Sequence, residues 1–287
     1  MTNYLGFCLC RGGNFFGGFQ VGLELHHVLY VLLGALAGVL AGLMGIGGGL
    51  VIVPGLLLLF HLQGFDATFL SHLAIGSSLA IIVPVAIASM WAHHRRGAVD
   101  WPVVFSLAPG LMLGALAGAW LASRFSTDLL KILFGSFLLI VACQMLIGSV
   151  PKAGKRRSVG ARLFFPVGAA IGTVSGLVGI GGGTMTVPFL VWQGKSLPLA
   201  VATSAACGLP IAIAGTLGFM LIGEGAGVGL STGFVYWPAV IVVGAFAVLT
   251  APFGARLAHG LPVSQLKKGF ALLLLGVGLR LICISLR

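Results

Sequence analysis

The sequence predicts an all-α polytopic membrane protein, made of two inverted-topology repeats of about five helical segments each. Short or broken helices are expected at its glycine-rich motifs. Three observations predict this. The 287 residues are 59% hydrophobic and only 7% charged, whereas a soluble domain carries about 25% charged residues. A glycine-rich motif occurs twice: Gly42-Leu43-Met44-Gly45-Ile46-Gly47-Gly48-Gly49-Leu50-Val51-Ile52-Val53-Pro54 returns as Gly176-Leu177-Val178-Gly179-Ile180-Gly181-Gly182-Gly183-Thr184-Met185-Thr186-Val187-Pro188. Finally, other landmarks recur in the same order. Gly76-Ser77-Ser78 with Pro84 corresponds to Ala202-Thr203-Ser204 with Pro210, and Val99-Asp100-Trp101-Pro102 to Val235-Tyr236-Trp237-Pro238.

A bilayer-spanning helix needs about 20 mostly apolar residues. Met1 to Gln20 carries Arg11 after its apolar start and is rich in Gly and Phe, so it does not read as a secretory signal; 1–26 is an N-terminal tail. Segment 1 is expected at about 27–44, followed by the glycine break and a short segment 2 at about 50–60. Segments 3, 4 and 5 follow at about 72–92, 102–122 and 130–149. A basic, polar linker over 151–161 separates the first membrane repeat, 27–150, from the second, 162–287. In the second repeat the segments fall at about 163–179, 184–193, 198–222, 237–258 and 266–284, and the two repeats form one transport domain.

Four glycines within five residues each lower helix propensity by roughly 1 kcal/mol, and backbone groups freed in lipid must find other partners. Paired breaks at matching places in two halves point to a transporter site made from discontinuous helices. Helix starts at such breaks present N–H groups and a positive dipole end, an anion site that needs no buried cation. The candidate substrate-binding residues are therefore Gly45, Gly47, Gly48, Gly49, Ser77 and Ser78 in the first half. In the second half they are Gly179, Gly181, Gly182, Gly183, Thr184, Thr203 and Ser204. Thr186 adds a further hydroxyl there, whereas Gly34, Gly38 and Gly42 are spaced for helix packing.

The net charge of +11 comes from basic residues lying between apolar segments, the pattern of positive-inside topology rather than of a nucleic-acid surface. Ten crossings divide the 16 basic residues 11 to 5, and eight crossings divide them 10 to 6. The larger bias favours an odd number of crossings per half and hence inverted halves. It leaves open whether each half makes five full crossings or three crossings plus a re-entrant hairpin. Glu24, Asp66, Asp100, Asp128 and Glu224 all fall at predicted ends or loops, which argues against a cation site. His72, near the start of segment 3, reads as an interfacial histidine or a proton-linked group. No catalytic residue, metal site or cofactor is expected, and no enzymatic activity.

The doubled Gly-Leu-x-Gly-Ile-Gly-Gly-Gly with its following Val-Pro, together with the Ser/Thr pairs, resembles the TauE/SafE family of sulfite and organosulfonate permeases. That family is also described as toluene-sulfonate uptake permeases. The resemblance covers about residues 27–284 and carries over at Gly45, Gly47, Gly48, Gly49 and Pro54, then at Gly179, Gly181, Gly182, Gly183 and Pro188. Gly76-Ser77-Ser78 departs from the usual small-Thr-Ser pattern. The resemblance implies a multi-pass protein of the cell inner membrane that moves sulfite, sulfoacetate or another sulfonate by alternating access. A passive anion channel is the alternative, and an intramembrane enzyme a weaker one. The expected partners are a small anionic substrate and the lipid bilayer, with no nucleic acid and with a homo-oligomer left open.

Overall fold

The computed structural model describes residues 15–44, 48–147, 163–223, 229–257 and 263–285. Among these it holds ten helices, α1 (Phe15–Met44), α2 (Gly49–Leu62), α3 (Leu70–His94), α4 (Trp101–Ala122), α5 (Thr127–Ile147), α6 (Phe164–Val178), α7 (Gly183–Trp192), α8 (Leu197–Ile222), α9 (Trp237–Leu257) and α10 (Val263–Ser285). A two-residue ribbon, β1 (Ser231–Thr232) and β2 (Val235–Tyr236), precedes α9. Five helices among the described residues are long and apolar enough to cross a membrane, so the chain is a multi-pass membrane protein. All five tryptophans lie within a turn of a helix end, the place where indoles settle at the water–lipid boundary. Arg95 stacks over Trp91 and Arg124 over Trp120.

The helix limits follow the apolar segments closely, with one exception. Helix α1 begins at Phe15 rather than near 27, so Glu24, expected in the tail, falls within a helix. The basic linker and Glu224 lie outside the described residues.

The connections sort into two ends. Thr127 donates its hydroxyl to the Thr68 carbonyl at 2.6 Å and Ser71 donates to the Thr127 carbonyl at 3.1 Å, tying the α2–α3 and α4–α5 loops together. Phe65 meets Tyr236 edge-on at 5.2 Å, bringing the α8–α9 connection to that same end. In the α2–α3 loop the Thr68 N–H donates to Asp66 at 2.8 Å, which holds the carboxyl below its usual range. Helix α3, with 25 residues and about 37 Å of rise, leads to the opposite end. There Lys195 of the α7–α8 loop pairs with Asp100 of the α3–α4 loop at 2.6 Å.

Helices α2 and α7 are too short to cross, with 14 and 10 residues, roughly 21 and 15 Å. Both fold back on the preceding helix. The Tyr30 hydroxyl bonds Gln63 just past the end of α2, Gly55 packs on Leu33, and Gly48 faces Ala37 and Ala41 at its start. The pair α1–α2 is thus an antiparallel hairpin whose Tyr30 and Gln63 sit at the Asp66 end. Likewise Phe164 meets Phe189, and Ser175 faces Gly182, so α6–α7 is a hairpin ending at the Lys195 end. The charge count could not distinguish a fifth crossing from such a hairpin; each half contains the hairpin.

The seams between the halves are glycine-lined. Helix α1 packs on α9 and α4 on α6. A Cβ on Gly34 would stand 2.6 Å from the Val243 carbonyl, and one on Gly168 would stand 2.7 Å from the Leu107 carbonyl. Gly38 meets the Ala247 carbonyl and Gly172 the Leu111 carbonyl. These four contacts interchange when the two repeats are swapped. Gly34 and Gly38 are packing glycines, as their spacing predicts.

Candidate functional site

Each hairpin turns at its glycine break. Gly48 and Gly182, the residues before α2 and α7, take left-handed φ of 69° and 71°, a conformation that costs any residue with a Cβ about 1–2 kcal/mol. Gly179 ends α6 at φ 79°. Gly45 and Gly47 lie outside the described residues. The two breaks touch: a Cβ on Gly49 would stand 3.1 Å from the Gly179 carbonyl and 3.1 Å from Ile180 Cα. Gly181 lies against Ile82 of α3 and its carbonyl against Gly208 of α8.

The first intrahelical bonds of α2 run from Val51 and Ile52 to the Gly48 carbonyl, and those of α7 from Met185 and Thr186 to the Gly182 carbonyl. The N–H groups of Gly49, Leu50, Gly183 and Thr184 precede those bonds and have no carbonyl within their own helix. The start of α2 thus lies against Gly179 and Ile180 of the second break, and α2 and α7 each begin at a break with a positive dipole end. Among the residues whose side chains are described, no Lys, Arg, Asp or Glu is buried.

The hydroxyls of the two matched pairs, Ser77–Ser78 and Thr203–Ser204, are all four buried, but they do different things. Ser78 donates to the Gly179 carbonyl at 3.0 Å. That bond covers the carbonyl of the residue just past α6, and the Ser78 hydroxyl is a strut between halves rather than an open donor. Ser77 accepts from the Tyr236 N–H at 2.9 Å, and Thr203 accepts from the Asp100 N–H at 3.1 Å. Ser77 and Thr203 are equivalent in the repeat, as are Tyr236 and Asp100, so each half holds the other by the same bond. Ser204 is the one of the four with an unpartnered oxygen, as are Thr184 and Thr186. The Thr186 hydroxyl faces Gly182, 3.6 Å from where its Cβ would be. Ser204 lies one turn before Gly208 and so on the face that meets Gly181.

His72 lies near the start of α3. It is buried, its Nε2 lies 3.0 Å from the Ala122 carbonyl, and its ring packs on Phe234 at 5.0 Å. It ties α3 to the end of α4, away from the breaks.

A feature missed in the sequence closes both hairpins. Gln63-Gly64-Phe65 and Gln193-Gly194-Lys195 form the same helix stop, with Phe65 N–H to the Phe60 carbonyl and Lys195 N–H to the Leu190 carbonyl, each 3.1 Å. Gly64 and Gly194 supply φ of 74° and 85°. The residue after each stop meets the residue before Trp-Pro of the other half. At one end this contact is Phe65 on Tyr236, and at the other it is the Lys195–Asp100 ion pair. The repeated Gln-Gly was the available signal.

A model of the sulfite exporter TauE/SafE family matches residues 30–281. A probable membrane transporter protein of Haemophilus influenzae is 37% identical over 256 residues, covering 88% of this chain and 97% of that protein. The probable membrane transporter protein YunE of Bacillus subtilis is 28% identical over 69% of this chain and 79% of its own. One from Methanocaldococcus jannaschii is 26% identical over 80% of this chain and 85% of its own. No solved structure matches at a significant level. Two discontinuous hairpins meeting at their glycine breaks, and this match over nearly the whole chain, lead to one conclusion: the protein is a membrane transporter that belongs to the sulfite exporter TauE/SafE family.

Proposed function

We propose that the chain is a secondary carrier for a small sulfur-containing anion such as sulfite, sulfoacetate or another sulfonate. It works by alternating access between two halves that are inverted in the cell inner membrane. The observation that carries this reading is the contact of Gly49 with Gly179 and Ile180. It sets the amide-bearing start of α2 against the break that leads into α7, which supports a site where an oxyanion accepts from both helix starts. The hairpins opening at opposite ends, and the contacts exchanged between repeats, support the inverted arrangement. That no Lys, Arg, Asp or Glu is buried among the residues whose side chains are described fits an anion held by dipoles.

Purified protein melted with sulfite, thiosulfate, sulfoacetate, taurine and sulfate tests the substrate class. A bound anion at a hundredfold excess over its Kd stabilises by about 2.7 kcal/mol, so at least one of the panel raises Tm and shows saturable uptake into proteoliposomes. Absence of any shift removes the sulfur assignment, and flux that never saturates indicates a channel.

The closing contacts give a second expectation. Lys195–Asp100 is partly exposed and contributes about 1 kcal/mol, so Lys195→Ala raises the open population at that end about fivefold. In a background without native cysteines, Thr186→Cys then reacts faster with an impermeant maleimide added from the Lys195 side. Phe65→Ala produces the same increase from the other side. An equal response from both sides for either variant contradicts separate gates.

A further inference from the structure

The two mouths close by equivalent contacts of opposite chemistry. At the Asp66 end the residue after the helix stop is Phe65, which meets Tyr236 edge-on and stacks on Phe60 at 5.0 Å. At the other end the equivalent residues are Lys195 and Asp100, 2.6 Å apart, with side chains 33% and 19% exposed. An aromatic contact therefore suffices to latch a mouth of this shape. Sheltering two charges costs desolvation, and an apolar pair in their place is often as stable or more so. The charges at this mouth call for a reason beyond closure.

Three neighbours point to one. Arg95 and Arg96 of the same α3–α4 loop are exposed, so an anion approaching this mouth meets a positive field. Gln193, two residues before Lys195 on the stop turn, is 7% exposed and its Nε2 has no partner. Tyr30 satisfies the equivalent Gln63, whereas Phe164, the counterpart of Tyr30, has no hydroxyl to offer. Finally, the Asp100 N–H donates to Thr203, and the next residue, Ser204, carries the unpartnered hydroxyl on the face of α8 that meets Gly181. Release of Asp100 thus loosens a contact one residue from the break. We propose that Lys195 is the docking residue for an incoming oxyanion and that Asp100 is its tethered competitor. The Asp100 carboxylate holds the ammonium while the mouth is shut, an anion arriving from that side takes its place, and the exchange opens the mouth. This rests on the anion-carrier reading above.

Saturable sulfite entry into proteoliposomes oriented with the Lys195 end facing the bath tests it. Asp100→Asn removes the competing charge but keeps the N–H to Thr203, and raises kcat/KM about fivefold, the scale of a partly exposed pair. Asp100→Ser stands in where Asp100→Asn does not fold. Lys195→Ala breaks the same latch but also removes the docking charge, so kcat/KM stays at or below the parent value. Combining Lys195→Ala with Asp100→Asn gives no further gain, because Asp100 then has nothing to compete for. Where sulfite is not carried, the same comparison uses whichever anion of the panel above shows saturable flux. Equal gains from Asp100→Asn and Lys195→Ala, or no gain from Asp100→Asn, overturn the docking role while leaving an anion carrier in place. Absence of saturable flux for every anion of the panel in the parent overturns both.

Discussion

Gly182→Leu is expected to abolish transport while the protein still inserts. Gly182 holds φ 71°, and a Cβ placed there runs into Ile211 Cδ1. The left-handed backbone costs about 1–2 kcal/mol and overpacking a further 1–3 kcal/mol. The chain can escape both by rotating out of the left-handed conformation, which re-aims the first amides of α7. Insertion is spared because the substitution makes an apolar segment more apolar. Gly48→Ala gives the contrast. Its φ is 69°, but the nearest atoms to the added Cβ are 3.4–3.5 Å away, so only the backbone term applies. Uptake into proteoliposomes, normalised to protein recovered in the membrane, should read zero for Gly182→Leu and a partial loss for Gly48→Ala.

Gly114→Leu is expected to damage the fold itself. Gly110, Gly114 and Gly118 of α4 face the Phe165, Ala169 and Thr173 carbonyls of α6, while Gly168, Gly172 and Gly176 face back on α4. Within a bilayer such helix pairs depend on close packing, because lipid is as apolar as the side chains. A leucine at Gly114 has no free volume, since its first carbon already meets the Ala169 carbonyl. The helices must separate along the seam that joins the halves. Melting in detergent should show a large loss of Tm and poor recovery of monodisperse protein. Gly276→Leu is the matched control: it adds the same volume to α10 at a position with nothing within 4 Å, and should melt as the parent does.

The helices were legible because length and hydropathy decide them. Trp101 and Trp237 open α4 and α9 where their Trp-Pro pairs predict, since proline fits the first turn of a helix. The breaks were legible because glycine density at Gly45–Gly49 and Gly179–Gly183 exceeds what packing requires. What each hydroxyl does was not. Ser78 and Ser204 look the same in sequence, yet one is a strut to Gly179 and the other is open, a distinction that depends on which carbonyl of another helix lies opposite. The return of α2 and α7 was hidden for a different reason: a hairpin and two full crossings have the same parity, so the distribution of charge is identical. Tyr30 bonded to Gln63, 33 positions further on, separates the two, and nothing between them encodes that meeting locally. The Lys195–Asp100 pair was not legible because its residues lie 95 positions apart in different halves, and only the repeated Gln-Gly marks where Lys195 falls.

The central claim is that one anion sits between the starts of α2 and α7, on bare amides in place of a buried cation. An experimental structure of the protein with bound ethanesulfonate tests it most directly. The account predicts the sulfo group within hydrogen-bond distance of the Gly49 or Leu50 N–H and of the Gly183 or Thr184 N–H together. Density for the ligand away from these amides, or unbroken helix through residues 45–49 and 179–183, would contradict it.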